Sequence, residues 1–213
     1  MFVEESLWIR DALSKFSLGA GIHILDVGAS SNEFRLNVQP HITSNVHAPL
    51  LARGCALTLA DIKQEEGIDL VLDLTATDID SKIYERKYDV VICCNVLEHV
   101  VDRDHFLRNL GRFVRAGSMI VVTVPRKYPK HDDPIDTMYR PTPMELVSSI
   151  KMHIPISLLI SGIVTVTEKQ YYIRARGRLL DYLFPFRATA NLWRYYLTPF
   201  RWQVSCVLAR VTD

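Results

Sequence analysis

"ILDVGASSNEF", residues 24–34, decides the fold. An apolar run ends in Asp26, turns at Gly28 and continues in small polar residues. This pattern is a strand delivering its carboxyl end to a turn, where glycine lets the backbone bend tightly and lets a ligand come close. In an open α/β sheet, ligands lie beyond the carboxyl ends of the strands. The G-x-G-x-x-G loop of hydride cofactors is absent, because Ser30 and Glu33 stand at its second and third glycine positions. A phosphate-cradling loop ending in Lys-Ser/Thr is absent too. Glu33 would put negative charge at the start of a following helix, where a pyrophosphate belongs. The loop therefore suits a nucleoside without phosphates and disfavours a dehydrogenase.

Outward from this loop, β-rich runs alternate with helical patterns. The runs are "IHILDV", "CALTLA", "IDLVL", "YDVVICC", "SMIVVTV", "IVTVTEKQYYI" and "WQVSCVLARV". The fourth and fifth are nearly continuous Val, Ile and Cys, as expected of strands covered on both faces. Between them, Phe106, Leu107, Leu110, Phe113 and Val114 share one helical face, with Asp102 able to cap the start and Gly117 the end. Strand, helix, strand makes a right-handed parallel crossover, and its repetition makes an α/β, doubly wound Rossmann-like sheet. The 213 residues suit one domain, residues 1–213.

A net charge of +1 is too balanced to imply a general polyanion binder. The N-terminal stretch "MFVEESLWIRDALSKF" lacks a signal-peptide core, and "IPISLLISGIVTV" is too short to span a bilayer. Cys55, Cys93, Cys94 and Cys206 match no zinc or redox spacing and read as buried free thiols, consistent with a cytoplasmic location.

Further acids follow the later strands. "LTLADI" places Asp61 at the end of the second strand, "LVLDLT" places Asp73 after the third, and "YDVVICCNVLEHV" places Asn95 after the fourth. A carboxylate after the second strand can accept both hydroxyls of a ribose, and acids on three strand ends suit a cationic amino-acid nucleoside. With "FLRNLGRFVRAGSMIVVTVP" and "HDDPIDTMYRPTPMEL", these pieces make residues 22–150 resemble the class I S-adenosylmethionine-dependent methyltransferases, in particular the broad "type 11" small-molecule group. The resemblance implies a seven-stranded sheet, mostly parallel with the last strand antiparallel, and S-adenosyl-L-methionine as cofactor. It places Asp26, Gly28 and Ser30 in the methionine-end loop and Asp61 on the ribose. Asp73 and the backbone of Leu74 then face the adenine, and Cys94 and Asn95 lie near the sulfonium. Two departures stand out. Ser30 and Asn32 replace later loop glycines, and Asp61 lies 35 positions after Asp26 rather than the usual ~20 beyond the loop. The extra chain, "EFRLNVQPHITSN", contains Pro40, is expected to be poorly helical and is a candidate lid.

His131, in the polar loop after the fifth run, and His99, in "NVLEHV", are the candidate general bases, since imidazole titrates near neutrality. Solvated turn chemistry for His131 and simple packing for His99 are the alternatives. His131, Asp132, Asp133 and Asp136 lack diagnostic metal spacing, so no metal site is assigned. Tyr139 and Arg140 are candidates to close the cofactor pocket or position an anionic acceptor.

Residues 174–201 form an Arg- and aromatic-rich segment inserted between the last two runs. As a broken helical element it could cover the sheet, touch an anionic membrane or a lipid-linked glycan, or hold nucleic acid. The favoured function is methyl transfer to a small-molecule, glycan or lipid-linked acceptor, with peripheral membrane contact through this segment and nucleic acid disfavoured. The alternatives are a non-catalytic methyltransferase-like binding subunit, supported by the missing glycines, and a nucleic-acid methyltransferase.

Overall fold

The computed structural model describes residues 1–131, 135–168, 171, 196–197 and 201–213. Seven strands form one sheet: β1 His23–Val27, β2 Ala56–Asp61, β3 Leu70–Val71, β4 Val90–Cys94, β5 Met119–Lys127, β6 Ile156–Thr165 and β7 Gln203–Val211. Their order is β3-β2-β1-β4-β5-β7-β6. The pairs from β3 through β5 are parallel, and β7 runs antiparallel to both β5 and β6. The expected doubly wound sheet with an antiparallel last strand is the observed one.

Alternation along the strands feeds two cores. On one face Ile24, Ile92 and Val121 pack with Ile9 and Leu13 of helix α1 (Val3–Ser14) and with Leu50. On the other, Leu25, Val91 and Val122 pack with Phe106, Leu107 and Leu110 of α4 (Arg103–Gly111) and with Leu146 and Ile150 of α5 (Pro143–Lys151). All of these are nearly inaccessible, and each large aliphatic side chain removed from water contributes about 1.5–3 kcal/mol. Double coverage is why β4 is buried at every position.

Three expectations need correction. The sixth strand is not "IVTVTEKQYYI": it begins at Ile156 and ends at Thr165. It is the sheet edge, and its alternating burial, with Leu159 and Ile163 exposed, disguised it in the sequence. Helix α4 starts as expected, with Asp102 accepting from His105 N at 2.9 Å, but ends at Gly111 rather than near Gly117. There the chain tightens, Phe113 N donating to Leu110 O, so that Phe113 O can accept from Tyr88 N at the entrance to β4. The chain after the first loop is helical despite Pro40, in short turns: π-helical at Phe34–Val38 and Thr43–His47, and α-helical as α2 (Pro40–Ile42) and α3 (Ala48–Ala52). Pro40 opens α2, where a missing N–H is harmless.

All four cysteines are buried free thiols. Among the described residues no helix is long and apolar enough to cross a membrane. Most of 174–201 lies outside the described residues, as do Asp132 and Asp133.

Candidate active site

The order β3-β2-β1-β4-β5 reverses direction between β1 and β4, the switch point where such sheets open a crevice. The registers Val27↔Cys93, Val27↔Ala60 and Cys94↔Thr123 bring the carboxyl ends of β1, β2 and β4 together at this edge, level with Thr123 midway along β5. Every cofactor-binding candidate lies along it.

Gly28 has φ 78°, and a Cβ there would stand 2.4 Å from Val96 Cγ2 across the switch point. Glycine is required for both reasons. Ser30 keeps the left-handed backbone of a loop glycine, φ 63°. Its N–H donates to Asp61 Oδ2 at 2.9 Å, while Asp61 Oδ1 accepts from Lys63 N at 3.0 Å. Asp61 thus pins the loop, and each carboxylate oxygen keeps a second lone pair.

Arg35, which has no signal in the sequence, is the hub of the loop. Its guanidinium is buried and donates to Ala29 O at 3.2 Å, to Ser30 O, to Asn32 Oδ1 at 2.7 Å and to Gly67 O at 2.9 Å. Burial pulls its pKa down, while the charges of Asp26, Asp69 and Asp61 oppose that shift. Asn32 fills the space over Gly67, where a Cβ would meet its Oδ1 at 2.1 Å. Where later glycines are replaced, the loop is held by the side chains of Asp61 and Arg35, which bond to the backbone of Ala29 and Ser30.

Asp26 is buried in β1, and its Oδ2 lies 2.7 Å from His47 Nε2, on the second π-helical turn. Asp73 Oδ1 accepts from Thr75 N at 2.8 Å and Thr75 Oγ1 at 2.6 Å. Leu74 is buried, and its carbonyl accepts from Asn109 Nδ2 at 3.0 Å. Cys94 ends β4, where burial pushes its thiol pKa up and leaves it inert. Asn95 follows with φ 55°, and its Nδ2 donates to Glu5 Oε1 at 2.8 Å. Glu5, fully buried on α1, also accepts from Thr123 Oγ1 and from Phe2 N. Nothing in the sequence marks this role beyond acids among apolar residues.

A second cluster gathers past β4 and β5. The short turn Leu97–His99 buries Glu98 completely. Its carbonyl accepts from Thr137 N and Thr137 Oγ1, stitching the turn to the loop after β5. Burial, with Glu5 adding, pushes the Glu98 carboxyl up to about 8. His99 and His131, proposed separately from the sequence, are brought together: their rings meet edge to face at 5.1 Å. Tyr128 meets His131 likewise at 5.0 Å. His131 Nδ1 lies 3.1 Å from Asp136 Oδ2, which Arg140 Nη2 holds at 2.6 Å. Burial lowers the His131 pKa against the opposing pull of Asp136. Arg140 therefore orders this loop, while Tyr139 is turned to Ser149 Oγ, 3.1 Å from its hydroxyl.

The fold places acids at its first two strand ends and a single-glycine turn at the switch point. A family model described as "Methyltransferase domain" matches residues 5–155, and the chain belongs to that family, the S-adenosylmethionine-dependent methyltransferases. The ubiquinone biosynthesis O-methyltransferase of Rickettsia conorii is 30% identical over 90 residues, 37% of this chain and 30% of that protein. The match thus spans under a third of the curated relative's length. Coclaurine N-methyltransferase, solved with N-methylheliamine and S-adenosylhomocysteine, superposes with TM-score 0.59 at 15% identity, covering 97% of this chain and 71% of that one. The Burkholderia thailandensis 1,6-didemethyltoxoflavin-N1-methyltransferase gives TM-score 0.53 at 16% identity, covering 99% and 80%. The [4+2]-cyclase SpnF gives 0.54 at 14% identity, covering 97% and 81%. At such identities the likeness shows the fold alone, and the cyclase illustrates that a fold does not fix a reaction.

Proposed function

We propose that the chain methylates a hydroxyl oxygen of a small-molecule acceptor, free or glycan-linked, that approaches from the Glu98–His99–His131 side. The supporting observation is the convergence of two imidazoles and a buried carboxyl beyond β4 and β5, next to the strand ends that carry the cofactor candidates. A hydroxyl must shed its proton to become a good nucleophile, and proton-accepting side chains are what that acceptor requires. The relative named as an O-methyltransferase points the same way.

The residues present fit the cofactor. Gly28 and Ser30 give the tight turn, and Asp61 and Asp73 present carboxylates at the adjoining strand ends. S-adenosylmethionine supplies the electrophilic methyl group. The chain supplies alignment and charge. Asp61 would hold the ribose, Asp26, Gly28 and Ser30 the methionine end, Asp73 and Leu74 the adenine, and Cys94 with Asn95 the region of the sulfur. His131, kept neutral by its lowered pKa, would accept the acceptor's proton, oriented by Asp136 and Arg140. A membrane or lipid-linked acceptor through residues 174–201 is a separate proposal resting on sequence alone.

Calorimetric titration with S-adenosylhomocysteine is the test. The parent binds, and Asp61→Ala binds about ten- to hundredfold more weakly, the loss of about 1.5–3 kcal/mol of charged hydrogen bonding. Equal affinities would remove Asp61 from the ribose. A parent that gives no heat would leave the non-catalytic binding subunit as the better reading.

A further inference from the structure

We propose that Glu98, His99 and His131 form a site for one divalent transition-metal ion of the zinc class. One ligand-capable atom from each lies within 4.8 Å of the others. His99 Nε2 is 3.8 Å from Glu98 Oε1. Donors around a bound ion of this kind stand about 3–3.5 Å apart, given metal–ligand distances of about 2.0–2.2 Å. Side-chain rotations within the cluster close the difference.

An independent observation points to a cation. Glu98 is fully buried, and neither carboxylate oxygen has a hydrogen-bond partner among the described residues. A buried carboxylate without donors is costly and needs a proton or a positive ion. Arg140 is already committed: its Nη2 sits on Asp136 Oδ2 at 2.6 Å.

The surroundings of His99 are those of a metal-bound histidine. A ligating imidazole usually hands its other N–H to a carbonyl or carboxylate, which fixes the ring and frees the lone pair. His99 Nδ1 bonds the carbonyl of Ile135, leaving Nε2 toward Glu98. His131 Nδ1 is 3.1 Å from Asp136 Oδ2 with no hydrogen bond formed between them, and Asp136 is itself fixed by Arg140 and by the backbone N–H groups of His131 and Met138. The three donors come from one short turn and one loop, tied by the Glu98–Thr137 bonds. Glu98 seals the inner side, and His131, half-exposed, leaves the outer side open for water or an acceptor oxygen.

Two imidazoles and one carboxylate select zinc, iron(II), cobalt(II) or manganese(II) over magnesium or calcium, which prefer all-oxygen shells. An acceptor hydroxyl on such an ion would lose its proton more readily, and in the loaded protein that proton would pass to solvent water at the open outer side instead of to His131, whose lone pair is held by the ion. The site stands on its own geometry. Its failure leaves the cofactor reading intact, and a chain that binds no S-adenosylhomocysteine can still bind the ion.

The test is titration of chelator-treated full-length protein with Co2+, followed by its visible absorption, and with Zn2+ by calorimetry, in the absence of any adenosyl ligand. One ion per chain is expected, unaffected by a large excess of Mg2+. Glu98→Gln and His131→Ala should each bind about ten- to hundredfold more weakly or worse, with circular dichroism checking the fold. His131 is on a half-exposed loop, so His131→Ala keeps the protein folded even where Glu98→Gln does not. Absence of saturable binding in the parent, or parent-like affinity in His131→Ala, overturns the proposal.

Discussion

Gly28 shows how a single residue sets the loop. Its φ of 78° and the 2.4 Å approach of a hypothetical Cβ to Val96 Cγ2 are separate constraints. Gly28→Ala should therefore destabilise the protein by about 1–3 kcal/mol from the backbone alone, plus the collision with Val96. Adding Val96→Ala should recover the collision part and leave the backbone part. Urea denaturation of the single and double variants measures both, and a Gly28→Ala protein as stable as the parent would refute the account. Ser30 makes the contrast. Its left-handed backbone carries a cost of order 1–2 kcal/mol, yet no glycine is needed because its N–H is held by Asp61 and its carbonyl by Arg35. The missing loop glycines are thereby explained as a substitution of bonding for flexibility. They argue less strongly for a dead site than the sequence suggested.

At the scale of elements, the opposite edge of the sheet is fastened by Asp89. Its Oδ2 accepts from His23 N at 2.9 Å and its Oδ1 from Arg115 Nη2 at 2.7 Å, tying the starts of β1 and β4 to the turn before β5. Burial acts to raise its pKa, but these bonds and the arginine charge outweigh it, and the net shift is downward. A depressed carboxyl gives stability that is present above its unfolded pKa near ~4 and is lost as pH falls through the folded value. Asp89→Asn should thus be less stable than the parent at neutral pH by about 1–2 kcal/mol, with the gap narrowing below pH ~4. Thermal unfolding across pH checks this, and a gap independent of pH would mean the carboxylate charge contributes nothing. The elements themselves were unequally legible. β4 and β5 showed through because burial on both faces writes an unbroken apolar run. β6 did not, because an edge strand alternates and its Ser and Gly positions blurred the start. The cap of α5 at Thr142-x-x-Glu145, with Pro143 at the first position, was not singled out in the sequence, although it forms the usual capping box. Arg35 and Glu5 were not readable, since a buried charge is marked only by partners distant in sequence. His99 and His131 could be nominated singly, but their meeting depends on the Glu98–Thr137 tie that only folding makes.

Across the whole molecule, α1 spans the edge where the cofactor candidates converge. Glu5 reaches Asn95, just past the end of β4, and Thr123, midway along β5. Glu4 accepts from Thr167 Oγ1 at 2.7 Å and Glu168 N at 2.8 Å, just after β6. Phe2 packs edge to face on Tyr128 at 5.6 Å and on Tyr171 at 5.0 Å, and Met1 bonds Gln39 beside α2. One helix therefore joins the loop chain after β1, the central strands and the segment after β6. Because Glu5 bonds the Asn95 side chain directly, a ligand filling the switch-point crevice should restrict α1 as well as the loop. Amide exchange in residues 3–14 and 28–35 should slow together on addition of S-adenosylhomocysteine, while exchange in α4, on the far face of the sheet, changes little. Glu5→Ala should uncouple the two, leaving protection in the loop but not in the helix. Protection confined to the loop in the parent would mean that α1 is only a packing element. Unchanged exchange in both would move the nucleoside away from the carboxyl ends of β1 and β4.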